Sequence, residues 1–223
     1  PPASNYADAS PDMVEGLRRK DFLYACAMDQ WLEQLAHATM ASIMIDVSAD
    51  EARVMSMPLF MRPRHSVADE IPGALAALQK RIDHAIAELG GRAFVKLSHR
   101  SAKDVVIQPT WTPTRAAIDK QLATLDLASA RQQLGLANDG RYSEQQCMEA
   151  VVSGAVVESL YHALCVTSAF QALQMFSGSY RITSDLQDDL SDTRFLRSKV
   201  VVRRWIDLEP GFEFRVFISA REI

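Results

Sequence analysis

The chain has 223 residues and a formal net charge of -4, with 48% hydrophobic and 23% charged residues. That length is ample for a buried core, and the composition excludes a disordered chain. The acidic balance argues against a general nucleic-acid surface while leaving room for a local basic pocket. No apolar run approaches the ~20 residues that cross a bilayer, so neither nucleic acid nor membrane is expected as a partner.

Residues 1–12 are small and polar and read as an extended arm, and Ser10-Pro11 opens a helix. From Met13 to about Met40 the pattern is broadly helical, with a break near Lys20-Asp21. SIMIDV alternates as a strand does. Residues 59–73 read as a linker. Leu75, Leu78, Ile82, Ala85, Ile86 and Leu89 recur at spacings of three and four, and Gly90-Gly91 closes that amphipathic helix. AFVKLS is a short strand, and HRSAKD a polar turn. Thr112-Pro113 opens a helix with Ile118, Leu122 and Leu125 on one face. Ser143-x-x-Gln146 is a capping box, and Ser168-x-x-Gln171 has the same form. The chain closes on VVVRRWIDLEPGFEFRVFI, two strands about a Glu-Pro-Gly break. This order of helix, strand, helix, strand, helical block and hairpin predicts an α+β architecture of at least two lobes, not a doubly wound parallel sheet.

Two stretches carry residues suited to chemistry. In the closing hairpin, Arg203, Trp205 and Asp207 point one way and Arg204, Ile206 and Leu208 the other, while Glu213 and Arg215 share the reverse of an apolar face. An arginine cannot shed its charge, and its planar fork matches phosphate oxygens. A solvated face with cross-strand ion pairs fits the same pattern. In the second stretch, Lys96 lies between Val95 and Leu97 and must snorkel outward or meet an anion. Ser98 shares its face, and Ser101-Ala-Lys-Asp104 forms a polar turn.

Other residues offer less. Asp185, Asp188, Asp189 and Asp192 read as solvated loop acids rather than cation ligands. Cys26, Cys147 and Cys165 form no Cys-x-x-Cys pair, and the five histidines show no metal-ligand spacing, so neither a disulfide frame nor a zinc site is expected. With no secretory signal pattern, a cytoplasmic location is the expectation.

Taken together, LGGRAFVKLSHRSAKD and the later RRWIDLEPGFEFRVF resemble the cell-division-cycle 123 family, whose members have an ATP-grasp fold. Arg203, Arg204, Trp205, Pro210, Glu213, Phe214, Arg215 and Phe217 fall on that family's hairpin pattern, and FLYACAMDQWLEQLAHATMASIMIDV is similar to its early segment. The family's proline before the lysine is Val95 here, and its asparagine is Ser98. The resemblance runs from about Phe22 to the end, interrupted over residues 106–163.

It implies an arm over 1–12, an N-terminal lobe over 13–105 with the Lys96 strand, a helical insertion over 106–163, and the start of a C-terminal lobe over 164–223. Such a chain would be a C-terminally truncated ATP-grasp-like protein. The resemblance also implies that ATP is the cofactor, with Lys96 and Ser98 at the phosphates and the strand Arg203-Arg204-Trp205-Ile206 as an adenine hinge. Glu213 would take the ribose, and Arg215 the phosphates. The Mg²⁺ ligands would follow residue 223. The function implied is a non-enzymatic assembly chaperone, binding the γ subunit of translation initiation factor 2 through the N-terminal lobe. The alternatives are an ATP-grasp ligase and a nucleotide-free structural pseudo-enzyme.

Overall fold

Strand β4, Lys199–Arg204, is the apolar run KVVVRR and is paired on both sides. It lies antiparallel to β1, Ser42–Asp46, and to β2, Ala93–Leu97. With the two-residue β3, Cys165–Val166, the sheet order is β1-β4-β2-β3. The computed structural model describes residues 24, 26–57, 73–108, 111–123, 128, 143–191 and 198–208. These fall into two compact units, one from 1–104 with 166–204 and the other from 105–165 with 205–223.

Eight α-helices are present among the described residues. They are α1 (Met28–Trp31), α2 (Ala49–Met55), α3 (Ala76–Glu88), α4 (Lys103–Val106), α5 (Thr112–Ala123), α6 (Glu144–His162), α7 (Ala169–Gly178) and α8 (Tyr180–Ser191). The fold is mixed α+β, as the element order predicts. The strand over 42–46, the helix before Gly90 and the strand at Lys96 all form where the sequence places them.

Alternation along the strands makes one sheet face apolar. Ala93, Val95, Leu97, Val200, Val202 and Ile45 are all buried, and α3 packs on β4 and β1. The α3 residues Leu78, Ile82, Ala85 and Ile86 are at most 2% exposed, so the spacing read from the sequence is the core stripe. Gly90 and Gly91 end this helix at φ +100° and +83°, a region that a side chain would make strained. On the outer side of α3, α7 stacks on the helix, and α8 packs on α7 and α2. In the second unit α5 packs on α6.

Caps set several helix starts. The Ser143–Gln146 box forms with both of its hydrogen bonds. At α7 only half of the expected box forms: the Ser168 hydroxyl accepts from Gln171 N–H, but the Gln171 side chain accepts from Thr167 N–H instead. A box that the sequence reading passed over, Ser48-Ala-Asp-Glu51, starts α2. Burial by itself would raise the Glu51 carboxyl, yet the Ser48 N–H and the Arg81 guanidinium outweigh it, and the group titrates below its ordinary value. Arg81 also donates to the Asp46 carbonyl, which ties α3 to the end of β1.

The broad helix expected over 13–40 is corrected within its described part. That part holds a helical residue at Tyr24, α1 and a 3₁₀ turn at Ala36–Ala38, with non-helical chain between and after them. Met28 and Leu32 bury against Val201 with Trp31 beside them, whereas Leu35, next along that seam, is 47% exposed. A helix gains most of its stability from such burial, and here the burial ends after one turn. Residues 1–12, most of the 59–73 linker, and the second hairpin strand lie outside the described residues. No helix among the described residues is long and apolar enough to cross a membrane.

Ile82 is fully buried in the α3 stripe. Ile82→Ala is therefore expected to cost about 2–5 kcal/mol, read as a lower urea midpoint with an unchanged m-value.

Candidate functional site

The sheet's second face carries the polar residues. The register sets Phe94 opposite Arg203 and Lys96 opposite Val201, with Ser42 beyond Arg203 and Met44 beyond Val201. Residues directly opposite share a face, so Lys96 and Arg203 are diagonal neighbours on one surface, roughly 7–8 Å apart at Cα. Arg204 falls on the other face at the strand end, exposed, and its N–H donates to the Ala41 carbonyl. The split of Arg203 from Arg204 is the one that strand alternation predicts.

Lys96 is partly buried, and its ammonium donates to the Ser98 carbonyl at 3.2 Å. Burial, then the positive charges of Arg203 and Lys103, bring its pKa from 10.5 down to about 8. Arg203 donates to the Thr39 hydroxyl at 2.8 Å and the Ser42 hydroxyl at 3.3 Å, and burial lowers its pKa as well. Among the described residues no carboxylate forms an ion pair with Lys96, Lys103 or Arg203. The same face does neutralise a cation one step away, where Lys199 meets Asp46 at 2.9 Å. Three cations without an ion-paired carboxylate among the described residues, two of them partly desolvated, are what would suit an anion.

Ser98 is buried, and its hydroxyl accepts from Lys199 N–H at 3.5 Å, while its carbonyl takes Met28 N–H as well as Lys96. Its main chain thereby positions the lysine. The polar turn expected after it forms over 98–102, closed by Arg100 N–H on the Leu97 carbonyl, and runs into the short helix α4, whose Asp104 has a structural task. Asp104 accepts from the Ser179 hydroxyl at 2.7 Å and from Arg181 N–H at 3.4 Å, while the Ser179 hydroxyl takes Ile182 N–H. Together they cap α8.

The acids read as solvated loop residues sit differently. Asp185, Asp188 and Asp189 are on α8, and Asp189 is 3% exposed, accepting from Tyr24 and from Ser198 N–H. Asp185 takes two hydrogen bonds from Arg100. Burial would raise its carboxyl, but His99 and Arg100 hold it below its ordinary value. The His99 Nε2 lies 3.2 Å from that carboxylate without hydrogen-bond alignment. These groups bind α8 to the end of β2, and no group of three or more His, Cys, Asp or Glu among the described residues could hold a metal.

In the second unit, Trp205 and Ile206 follow β4 outside any helix or strand. The Tyr161 hydroxyl donates to the Ile206 carbonyl at 2.7 Å and accepts from Leu208 N–H at 3.3 Å. Its ring meets Trp205 at 4.7 Å between centroids, tilted 46°. Ile206 and Leu208 are 41% and 40% exposed, and Trp205 Nε1 donates to Asp207 at 2.8 Å. Glu213 and Arg215, and with them the convergence of Arg215 on Lys96 that the resemblance implies, lie outside the described residues.

Two residues escaped the sequence reading. Lys103 looked like one member of a polar turn, and only the chain reversal after β2 brings its charge back to Lys96. Tyr161 sits near the end of a long helix, where no local pattern sets it apart.

The depressed pKa of Lys96 has a fixed sign. Between about pH 8 and 10.5 the unfolded chain holds a proton that the folded one has lost, so Lys96 makes stability rise with pH across that window. Lys96→Met removes the charge at similar volume. The variant is expected to be about 1–3 kcal/mol more stable than the parent at pH 7, with the gap closing towards pH 10.5, as measured by urea unfolding across that range. A variant less stable at pH 7 would contradict the uncompensated charge.

No family model and no curated protein matches the chain. Among solved structures it is similar to the structure of Cdc123 from Schizosaccharomyces pombe, at 15% identity and a TM-score of 0.46. A C-terminally truncated Cdc123 from the same organism matches at 17% identity and the same TM-score. Each match covers 85% of this chain and 56% of the other, so the chain spans a little over half the length of these structures. Both bear the name of the family that the sequence motifs resemble.

Proposed function

We propose that the chain binds the phosphates of a nucleotide at Lys96, Lys103 and Arg203, and that the nucleotide is ATP. The observation that carries this reading is Lys96, whose ammonium is partly desolvated, pressed by two further cations and ion-paired with no carboxylate among the described residues. A phosphate chain supplies several anionic oxygens, which suit both a point charge and a planar fork. Phosphate binding would return Lys96 towards its ordinary pKa.

In this proposal the ligand is structural rather than consumed. ATP would stabilise the bound form by mass action, and the chain would serve as a non-catalytic assembly factor. The γ subunit of translation initiation factor 2 as partner, Mg²⁺ as companion ion, and the roles of Ser98, Arg204, Glu213 and Arg215 are supported by the motif resemblance. A second reading, a nucleotide-free scaffold, is favoured by Tyr161, whose hydroxyl already donates to the Ile206 carbonyl of the hinge that the resemblance implies.

Calorimetry near pH 8.5 in two buffers of different ionisation enthalpy separates the readings. The expected result is ATP and tripolyphosphate binding with uptake of a fraction of a proton, as Lys96 regains its charge. Lys96→Met should weaken both ligands at least tenfold, on the order of 1.4 kcal/mol or more, and abolish the uptake. Binding undiminished in that variant would overturn the site, and failure of the parent to bind either ligand would select the scaffold.

A further inference from the structure

We propose that the side-chain amine of Lys96 is a carbamylation site: it takes up carbon dioxide from solution, and the carbamate so formed gives Arg203 and Lys103 an anionic partner. The groups concerned all lie in the first unit, and the proposal does not rest on the nucleotide reading.

Strand pairing brings the amine to its place. The register of β2 on β4 puts Lys96 and Arg203 on one face as diagonal neighbours. The turn into α4 brings the Lys103 charge to bear on the same amine. The Ser98 carbonyl takes one Lys96 N–H at 3.2 Å. Other charged groups on the neighbouring elements are already engaged. Lys199 on β4 pairs with Asp46, Asp104 on α4 caps α8, and Asp29 on α1 accepts from the Gln30 amide. In the turn, His99 and Arg100 both face Asp185. None of these carboxylates forms an ion pair with Lys96 among the described residues.

An amine partly withdrawn from water beside positive charges is the setting that makes a lysine nucleophilic. With its pKa at about 8, a share of Lys96 is neutral at physiological pH. The neutral nitrogen gives its lone pair to the carbon of carbon dioxide, and one C=O π pair moves onto oxygen. The nitrogen then releases one proton to solvent, leaving R–NH–COO⁻ with no oxidant and no leaving group. Carbon dioxide is small and uncharged, so it reaches a partly buried amine without the desolvation cost of an ion. The step replaces a cation at the centre of the cluster by an anion. Two repulsions become two attractions, and a planar carboxylate suits the arginine fork.

The modification reverses the sign of the charge at Lys96. On the nucleotide reading, and on that reading alone, carbon dioxide would therefore compete with phosphates for this face.

The test incubates the full chain with isotope-labelled bicarbonate near pH 8, traps carbamates by O-alkylation with an oxonium salt, and maps the trapped lysines by peptide mass spectrometry. Lys80 and Lys120, both exposed, serve as references. The expected result is trapping at Lys96 at least about tenfold above either reference, with a labelled carbamate resonance that Lys96→Met abolishes. Arg203→Gln and Lys103→Gln should each lower Lys96 trapping roughly tenfold. Lys103 is exposed on its short helix, so its variant keeps the test sound should Arg203→Gln fail to fold. Trapping at Lys96 no greater than at the references, or unchanged in both variants, overturns the proposal. Bicarbonate held as an ion with Lys96 untrapped overturns it too. ATP binding by a parent that is never trapped would leave the phosphate site standing and sink the carbamate alone, while trapping without ATP binding would do the reverse.

Discussion

Everything in the first unit depends on β4 having a hydrogen-bonded partner on each side. Its three valines are fully buried, and its ladder to β1 and β2 decides which residues from distant stretches become neighbours. Because the period of a strand is two, shifting the β2 register by one residue would send Lys96 into the apolar face beneath α3. The burial of Val95 and Leu97 on that face prevents the shift. The same core that stabilises the fold therefore aims the lysine.

A second consequence is electrostatic. The polar face of the sheet could have been neutral throughout, and at its Lys199–Asp46 end it is. At the Lys96 end it is not. Like charges held near one another in a partly buried place disfavour the charged state, as the lowered pKa of Lys96 reflects. Nearby acids have other tasks: Asp104 caps α8, and Asp185 and Asp189 hold Arg100, Tyr24 and the chain at Ser198.

The segment after β4 follows a different logic. At Trp205 the ladder ends, and the main chain must satisfy its polar groups by other means. Tyr161 supplies one hydroxyl for two of them and an aromatic face for Trp205. Main-chain groups satisfied by a single side chain can be released by one rotamer change, whereas those of a ladder open only cooperatively.

Much of this was legible in the residues. The stripe of α3 with its Gly-Gly stop, the strands at 42–46 and 93–97, and the Ser143 box follow from periodicity and caps, which act within a few residues. Opposite faces for Arg203 and Arg204 follow from strand alternation alone. The Ser48 box was equally local, though its Ser-x-x-Glu signal stood behind a strand and passed unread. By contrast, the helical pattern does not continue past α1 because burial on Val201 lasts one turn, and Val201 comes from the far end of the chain. The charge of Lys103 on Lys96, the cap of α8 by Asp104 and the closure of Ile206 by Tyr161 were decided only by tertiary structure. Each joins residues whose separation along the chain no periodic pattern spans.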